Sequence, residues 1–151
     1  MSHLSGASSP DLQVSADPIA FDDCGESGAR NGKMHISRPP VQPGQIEKII
    51  DARRLRASFF DSDLFADPAW DMLLDLYRAH LAQQRICVTS VCFGAGVPVS
   101  TALRWLNALE QRNLAKRSQD PLDGRRFFVA LTDEGASAMA KYFSATKPLA
   151  I

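Results

Sequence analysis

The stretch Val97–Gly135, VPVSTALRWLNALEQRNLAKRSQDPLDGRRFFVALTDEG, restricts the fold more than any other part of this chain. A helix-period run is followed by a short extended run, a polar turn carrying two adjacent arginines, and a second extended run that closes on a helix cap. On a wheel of about 100° per residue centred on Ala102, the residues Trp105, Leu106 and Leu109 fall within roughly a third of a turn and form one apolar stripe. The opposite side receives Ser100, Arg104, Asn107 and Gln111, with Thr101 and Ala108 on its flank. Every side chain at the centre of that face can hydrogen-bond. Arginine suits the paired acceptors of guanine, Asn and Gln suit adenine, and Ser or Thr serves bases or phosphates. An ordinary solvated helix face is the alternative for this helix taken alone.

The residues after this helix favour the first reading. Asn113 stands where the pattern stops and tolerates a left-handed cap, and Leu114–Ser118 reads as a short strand. The turn 119–124 is punctuated by Pro121 and Gly124. Beyond it Phe127, Val129 and Leu131 alternate with Arg126, Phe128 and Ala130, the period of a half-buried strand. The expected product is a hairpin with Arg125 and Arg126 at its tip, beside a polar-faced helix. On DNA such a helix fits the major groove and an arginine tip reaches the neighbouring minor groove.

These residues carry a resemblance. The run Ser100–Gly135 is similar to the recognition helix and wing of the MarR-type winged-helix transcriptional regulators, through Ser100, Thr101, Arg104, Leu109, Glu110, Leu114, Asp123, Arg125, Arg126, Val129, Leu131, Thr132 and Gly135. Asn113 stands where that family usually has Gly, a mild departure because Asn also accepts positive φ. The resemblance implies that Val99, Ser100, Thr101, Arg104 and Asn107 contact bases or adjacent phosphates. It implies also that Arg125 enters the minor groove, held by a charged hydrogen bond that it donates to Asp123, while Arg126, Lys116 and Arg117 neutralise phosphates. The alternative, from a different class, is a winged helix that binds protein, its arginine tip docking an acidic partner.

The remainder of the chain fits one domain with a leader. Residues 1–44 are rich in Ser, Gly, Pro and Asp, lack apolar periodicity, and are expected to be a disordered leader ending at the breaker Pro39–Gly44. Residues 45–151 are expected to form a mainly helical α+β winged helix-turn-helix domain with a three-stranded wing sheet. Its first helix would cover 45–60, with Ile46, Ile49, Ile50, Ala57 and Phe60 on one side. Asp67 and Pro68 are a cap and first-turn pair for a second helix running to about Gln84. There Leu73, Leu74, Leu76, Tyr77 and Leu81 form the buried side, and Trp70 reads as a core anchor. A short strand over Arg85–Val88 precedes a third helix, Ser90 to about Ala95, capped by Thr89. Thr132 caps a last helix to about Phe143.

Net charge is zero, yet it is unevenly distributed. Residues 1–44 hold 3 basic and 5 acidic side chains, 45–96 hold 6 and 7, and 97–151 hold 8 and 5, so the positive excess lies on the expected reading unit. No run approaches the roughly 18 to 20 apolar residues of a membrane span, and the start lacks a secretion signal, so a cytoplasmic protein is expected. Cys24, Cys87 and Cys92 make no CxxC pair and His3, His35 and His80 are scattered, so neither a metal nor a cofactor is expected. Cys87 and Cys92 read as small buried hydrophobes, with a redox pair as the alternative. No catalytic constellation stands out, so the chain does not read as an enzyme.

The expected partners are double-stranded DNA and a second copy of the chain. The MarR pattern normally continues with long C-terminal helices that build most of the dimer, whereas here only Ser144–Ile151 follows the last helix. A dimer would then lean on the first helix, the last helix or Leu149-Ala150-Ile151. By analogy, a cleft between the first helix, the second helix and a partner subunit could take a small aromatic or lipophilic effector.

Overall fold

The first helix starts two residues before the expected boundary. The Gln42 backbone N–H donates to Gln45 Oε1 at 2.8 Å, and Pro43 takes the first helical position, where no N–H is needed. The computed structural model describes residues 41–146. Residues 1–40 of the expected leader, with His3, Cys24 and His35, and the terminal 147–151, with Leu149–Ile151, lie outside the described residues. Of the expected leader's last four residues, Val41 is 5% exposed and packs into the core, and Pro43 and Gly44 open helix α1, Pro43–Leu55.

Helix α1 also stops earlier than its apolar pattern suggests, at Leu55 rather than Phe60. The N–H groups of both Phe59 and Phe60 turn back to the Arg56 carbonyl at 3.0 Å, tightening the chain into a 3-10 turn over Arg56–Ser58. The helical period is lost there. Ile46 and Ile50 are buried as expected, but Ala57 and Phe60 are exposed. A second 3-10 turn, Ser62–Phe65, lies within the expected loop.

Helix α2, Pro68–Ala82, begins as the sequence indicates, with the Trp70 N–H donating to Asp67 Oδ1 at 3.4 Å. It ends at Gln83, which adopts φ 55°. Arg53 Nε lies 2.5 Å from Asp71 Oδ1, and Arg54 reaches Asp75 at 3.4 Å, so charge pairs join α1 to α2. Burial pushes the Asp75 carboxyl above its ordinary 3.8, against the pull of Arg54 and Arg78. Trp70 is half-buried against Tyr142, with ring centroids 4.8 Å apart.

Strand β1 (Ile86–Cys87) runs straight into α3 (Val88–Gly94). The capping position is therefore Cys87, extended at φ −85° and ψ 157°, and Thr89 sits inside the first turn instead of capping it. At the far end of α3, a Cβ on Gly94 would collide with the Asp75 carboxylate. The absence of a side chain lets α3 close on α2.

Helix α4 (Val99–Gln111), strands β2 (Ala115–Gln119) and β3 (Phe127–Leu131), and helix α5 (Asp133–Ala145) complete the described chain. The three strands form one antiparallel sheet in the order β1–β3–β2, with Ile86 and Arg117 both opposite Val129. One core, including Ile46, Met72, Leu76, Val91, Leu106 and Val129, joins all the helices to the sheet. Two helices at a turn, followed by a hairpin whose central strand pairs back to a strand before them, make a winged helix-turn-helix.

Candidate nucleic-acid interface

Helix α4 is held on one side only. Ala102, Leu106 and Leu109 are buried, while Ser100, Arg104, Asn107 and Gln111 are exposed and Thr101 is half-buried. Val99 is likewise exposed, in the first turn. The buried arc is narrower than the expected stripe: Trp105, at its edge, is 43% exposed. It lies on the flank shared by Thr101, Ala108 and Arg112, roughly 60° from Ala102 on the wheel.

The end of α4 sets where the wing begins. Asn113 adopts φ 55°, and the Leu114 N–H returns to the Leu109 carbonyl at 2.9 Å, closing the helix as a left-handed cap should. Thr132 then ties the wing's two ends together. Its hydroxyl donates to the Asn113 carbonyl at 2.5 Å and accepts from the Gly135 N–H at 3.0 Å. Gly135 is pressed against the Leu114 carbonyl, where a Cβ has no room. The root of the wing is thus fixed to the ends of both α4 and α5.

At its tip, the turn between β2 and β3 is braced by polar side chains. The Leu122 N–H donates to Asp120 Oδ1 at 2.8 Å, and Gln119 Nε2 donates to the Gly124 carbonyl at 2.6 Å. Asp123 does hold Arg125, but through the backbone: its Oδ1 accepts from the Arg125 N–H at 3.0 Å. Among the described residues, the side chains of Arg104, Lys116, Arg125 and Arg126 form no ion pair. Arg104, Lys116 and Arg125 are exposed and Arg126 is half-buried. On β3, Val129 and Leu131 are buried, whereas Phe127 is exposed beyond the core's edge and Phe128 lies under Arg85, 5.3 Å away.

Arg117 differs from these cations. Its Nη2 donates to Asn107 Oδ1 at 2.5 Å and lies 3.2 Å from Glu110 Oε2. Two residues expected to meet DNA separately are therefore joined to each other. On a wheel of about 100° per residue Glu110 lies roughly 80° from Ala102, off the reading face, and nothing in its spacing signals that β2 would fold back against it. Behind this junction, burial pushes the Cys92 thiol up, with the Arg117 charge opposing. Cys92 is buried and free. The Thr89 and Ser90 hydroxyls lie 3.1 Å from Cys87 Sγ.

Away from α4, the connection between α1 and α2 exposes a cluster of large apolar side chains: Leu55, Phe59 (73% exposed), Phe60, Leu64 (67%) and Phe65. Phe60 and Phe65 meet edge to face, 5.5 Å apart. Beside them, a cleft of about 300 Å³ is lined by Arg53, Arg54, Arg56, Phe65, Phe93 and the turn at Gly94–Gly96. Among the described residues no group of three or more His, Cys, Asp or Glu could hold a metal. No helix among them is long and apolar enough to cross a membrane.

The class defined by this arrangement is the winged helix-turn-helix, with α3 and α4 as the helix pair and β2–β3 as the wing. No family model matches the chain, and no curated protein does. Among solved structures, it is similar to Staphylococcus aureus MepR in its DNA-binding conformation, at 20% identity over 68% of this chain and 69% of that one, with a TM-score of 0.46. MarR is similar at 21% identity over 69% of each chain, with a TM-score of 0.45. The heme sensor PefR from Streptococcus agalactiae, in complex with heme, is similar at 19% identity over 68% of each chain, with a TM-score of 0.45.

Proposed function

We propose that this chain binds double-stranded DNA with sequence preference and regulates transcription. The observation that carries the reading is the exposed hydrogen-bonding face of α4 set beside a wing on which three of the cations, Lys116, Arg125 and Arg126, are free of ion pairs among the described residues. In this reading Val99, Ser100, Thr101, Arg104 and Asn107 meet base edges or adjoining phosphates from the major groove. Arg125 enters the minor groove from a turn stiffened by Asp123, and Lys116 and Arg126 neutralise phosphates. The test is a salt-titrated shift assay on Arg104→Glu and Arg125→Glu. Each should weaken binding strongly; wild-type affinity in both would remove α4 and the wing as the reading surface.

A specific observation also favours a protein contact. The exposed apolar corner at 55–65 is what a subunit interface would cover, and we assign it to a second copy of this chain, so that two α4 helices read two half-sites. The opposing reading, a wing tip that docks an acidic protein in place of DNA, predicts no affinity for duplex DNA above that of any cationic surface.

A further inference from the structure

We propose that Arg117 is a positioning residue for base reading: it holds the Asn107 amide with its oxygen toward the wing, and thereby sets the base preference at the position Asn107 faces. The inference rests on the reading of α4 as a DNA-reading helix.

The two ends of an asparagine amide are nearly the same shape and differ in sense, one accepting and the other donating. An exposed Asn that rotates freely at its last torsion offers either end to a base edge. Arginine only donates, so the 2.5 Å bond from Arg117 Nη2 to Asn107 Oδ1 exists in one orientation of the amide. Glu110 holds the same guanidinium at 3.2 Å, with about 31% of the Arg117 side chain and 27% of the Glu110 side chain exposed. From behind, β2 anchors the arginine by pairing it opposite Val129, which is buried in the core. Helix, strand and side chains together fix the amide before any DNA arrives. A preset donor and acceptor discriminate between base edges that a rotating amide would accept alike.

The ion pair has a second consequence. A guanidinium already balanced by Glu110 releases few counterions on binding, unlike Lys116, its exposed neighbour with no ion pair among the described residues. The two adjacent cations of β2 thus divide the work, Lys116 supplying affinity and Arg117 supplying selectivity.

The experiment compares wild type, Arg117→Met, Arg117→Lys and Lys116→Met, by selection of bound sequences from random duplexes and by salt titration of the selected site. In Arg117→Met, discrimination at one base pair should fall from roughly tenfold or more to about twofold, with the salt dependence unchanged. Arg117→Lys should lie between, keeping a donor without the planar fork. Lys116→Met should lower the salt slope by about one and leave the base preference intact. The proposal is overturned if Arg117→Met lowers the salt slope while keeping every preference, since Arg117 would then be a phosphate ligand, or if it changes neither quantity. Should Arg117→Met fail to fold, Glu110→Ala releases the guanidinium from its other holder and should weaken the same preference; an unchanged preference there also overturns it. If wild type selects no sequence, the DNA reading itself falls, whereas selection by wild type matched identically by Arg117→Met removes this inference alone.

Discussion

Two surfaces of this domain stay open to a neighbour, and they are made of opposite chemistry. The face of α4 and its wing presents Ser100, Arg104, Lys116 and Arg125 around a helix whose Ala102, Leu106 and Leu109 point inward. The corner at 55–65 presents Leu55, Phe59, Phe60, Leu64 and Phe65 where a helix has ended early. A polar, cationic face stays hydrated alone and gains from an anionic partner by counterion release. An apolar corner gains by leaving water and has little use for a polyanion. In the proposed reading, DNA and a second copy of the chain would therefore meet different surfaces, neither competing for the other's partner.

That separation can be broken most severely by charge reversal. Arg104→Glu should lower duplex affinity by about 100-fold at low salt, the scale expected when a groove contact is replaced by repulsion of phosphate, and should leave self-association untouched in sedimentation. The paired change Phe59→Ser with Leu64→Ser should do the reverse. It removes two large apolar contacts from the corner and should weaken self-association by roughly 30-fold, at about 1 kcal/mol or more per contact. Affinity for an isolated half-site should stay the same. If the corner variant instead loses half-site affinity in step with association, the two surfaces are not independent.

A smaller effect separates the framework from both surfaces. Gly94→Ala places a Cβ against the Asp75 carboxylate and beside Arg54 Nη2, 3.2 Å away, and should destabilise the fold by about 1–3 kcal/mol in denaturant unfolding. Smaller still is the effect of pH on Asp75. Its folded-state carboxyl titrates above the unfolded value of 3.8, so the folded state binds the proton more readily. Its contribution to stability is least favourable above the folded pKa and improves as pH falls toward 3.8. Asp75→Asn should remove that gain, measured as the change in Tm between neutral and mildly acidic buffer relative to wild type.

The two surfaces were not equally legible in the sequence. The α4–wing unit was, because each junction has its own local chemistry: Asn113 for a left-handed cap, Pro121 and Gly124 for the turn, Thr132 for the next helix. The corner was not. Phe60 continues the apolar period of α1, and periodicity alone does not register that the chain must turn at Arg56 so that α2 can return along α1. Trp105 shows a related limit. The wheel gives its angle, whereas the packing of neighbouring elements decides how wide an arc of α4 is covered. Arg117 shows the deepest one, since its partners lie seven and ten residues earlier on a helix, and they meet only once β2 has folded back. Asp123 was expected to hold the Arg125 side chain by a charged hydrogen bond, whereas its carboxylate accepts from the Arg125 peptide N–H, a choice that residue spacing does not specify.

The most direct test of the central claim is the equilibrium binding of the full chain to a duplex selected from a random pool, compared with a scrambled duplex of the same length across a salt series. DNA reading by α4 predicts that affinity for both falls with salt, that the selected duplex binds roughly a thousandfold tighter or more at physiological salt, and that Arg104→Glu removes most of this difference. Equal affinity for the two duplexes at every salt concentration would contradict it.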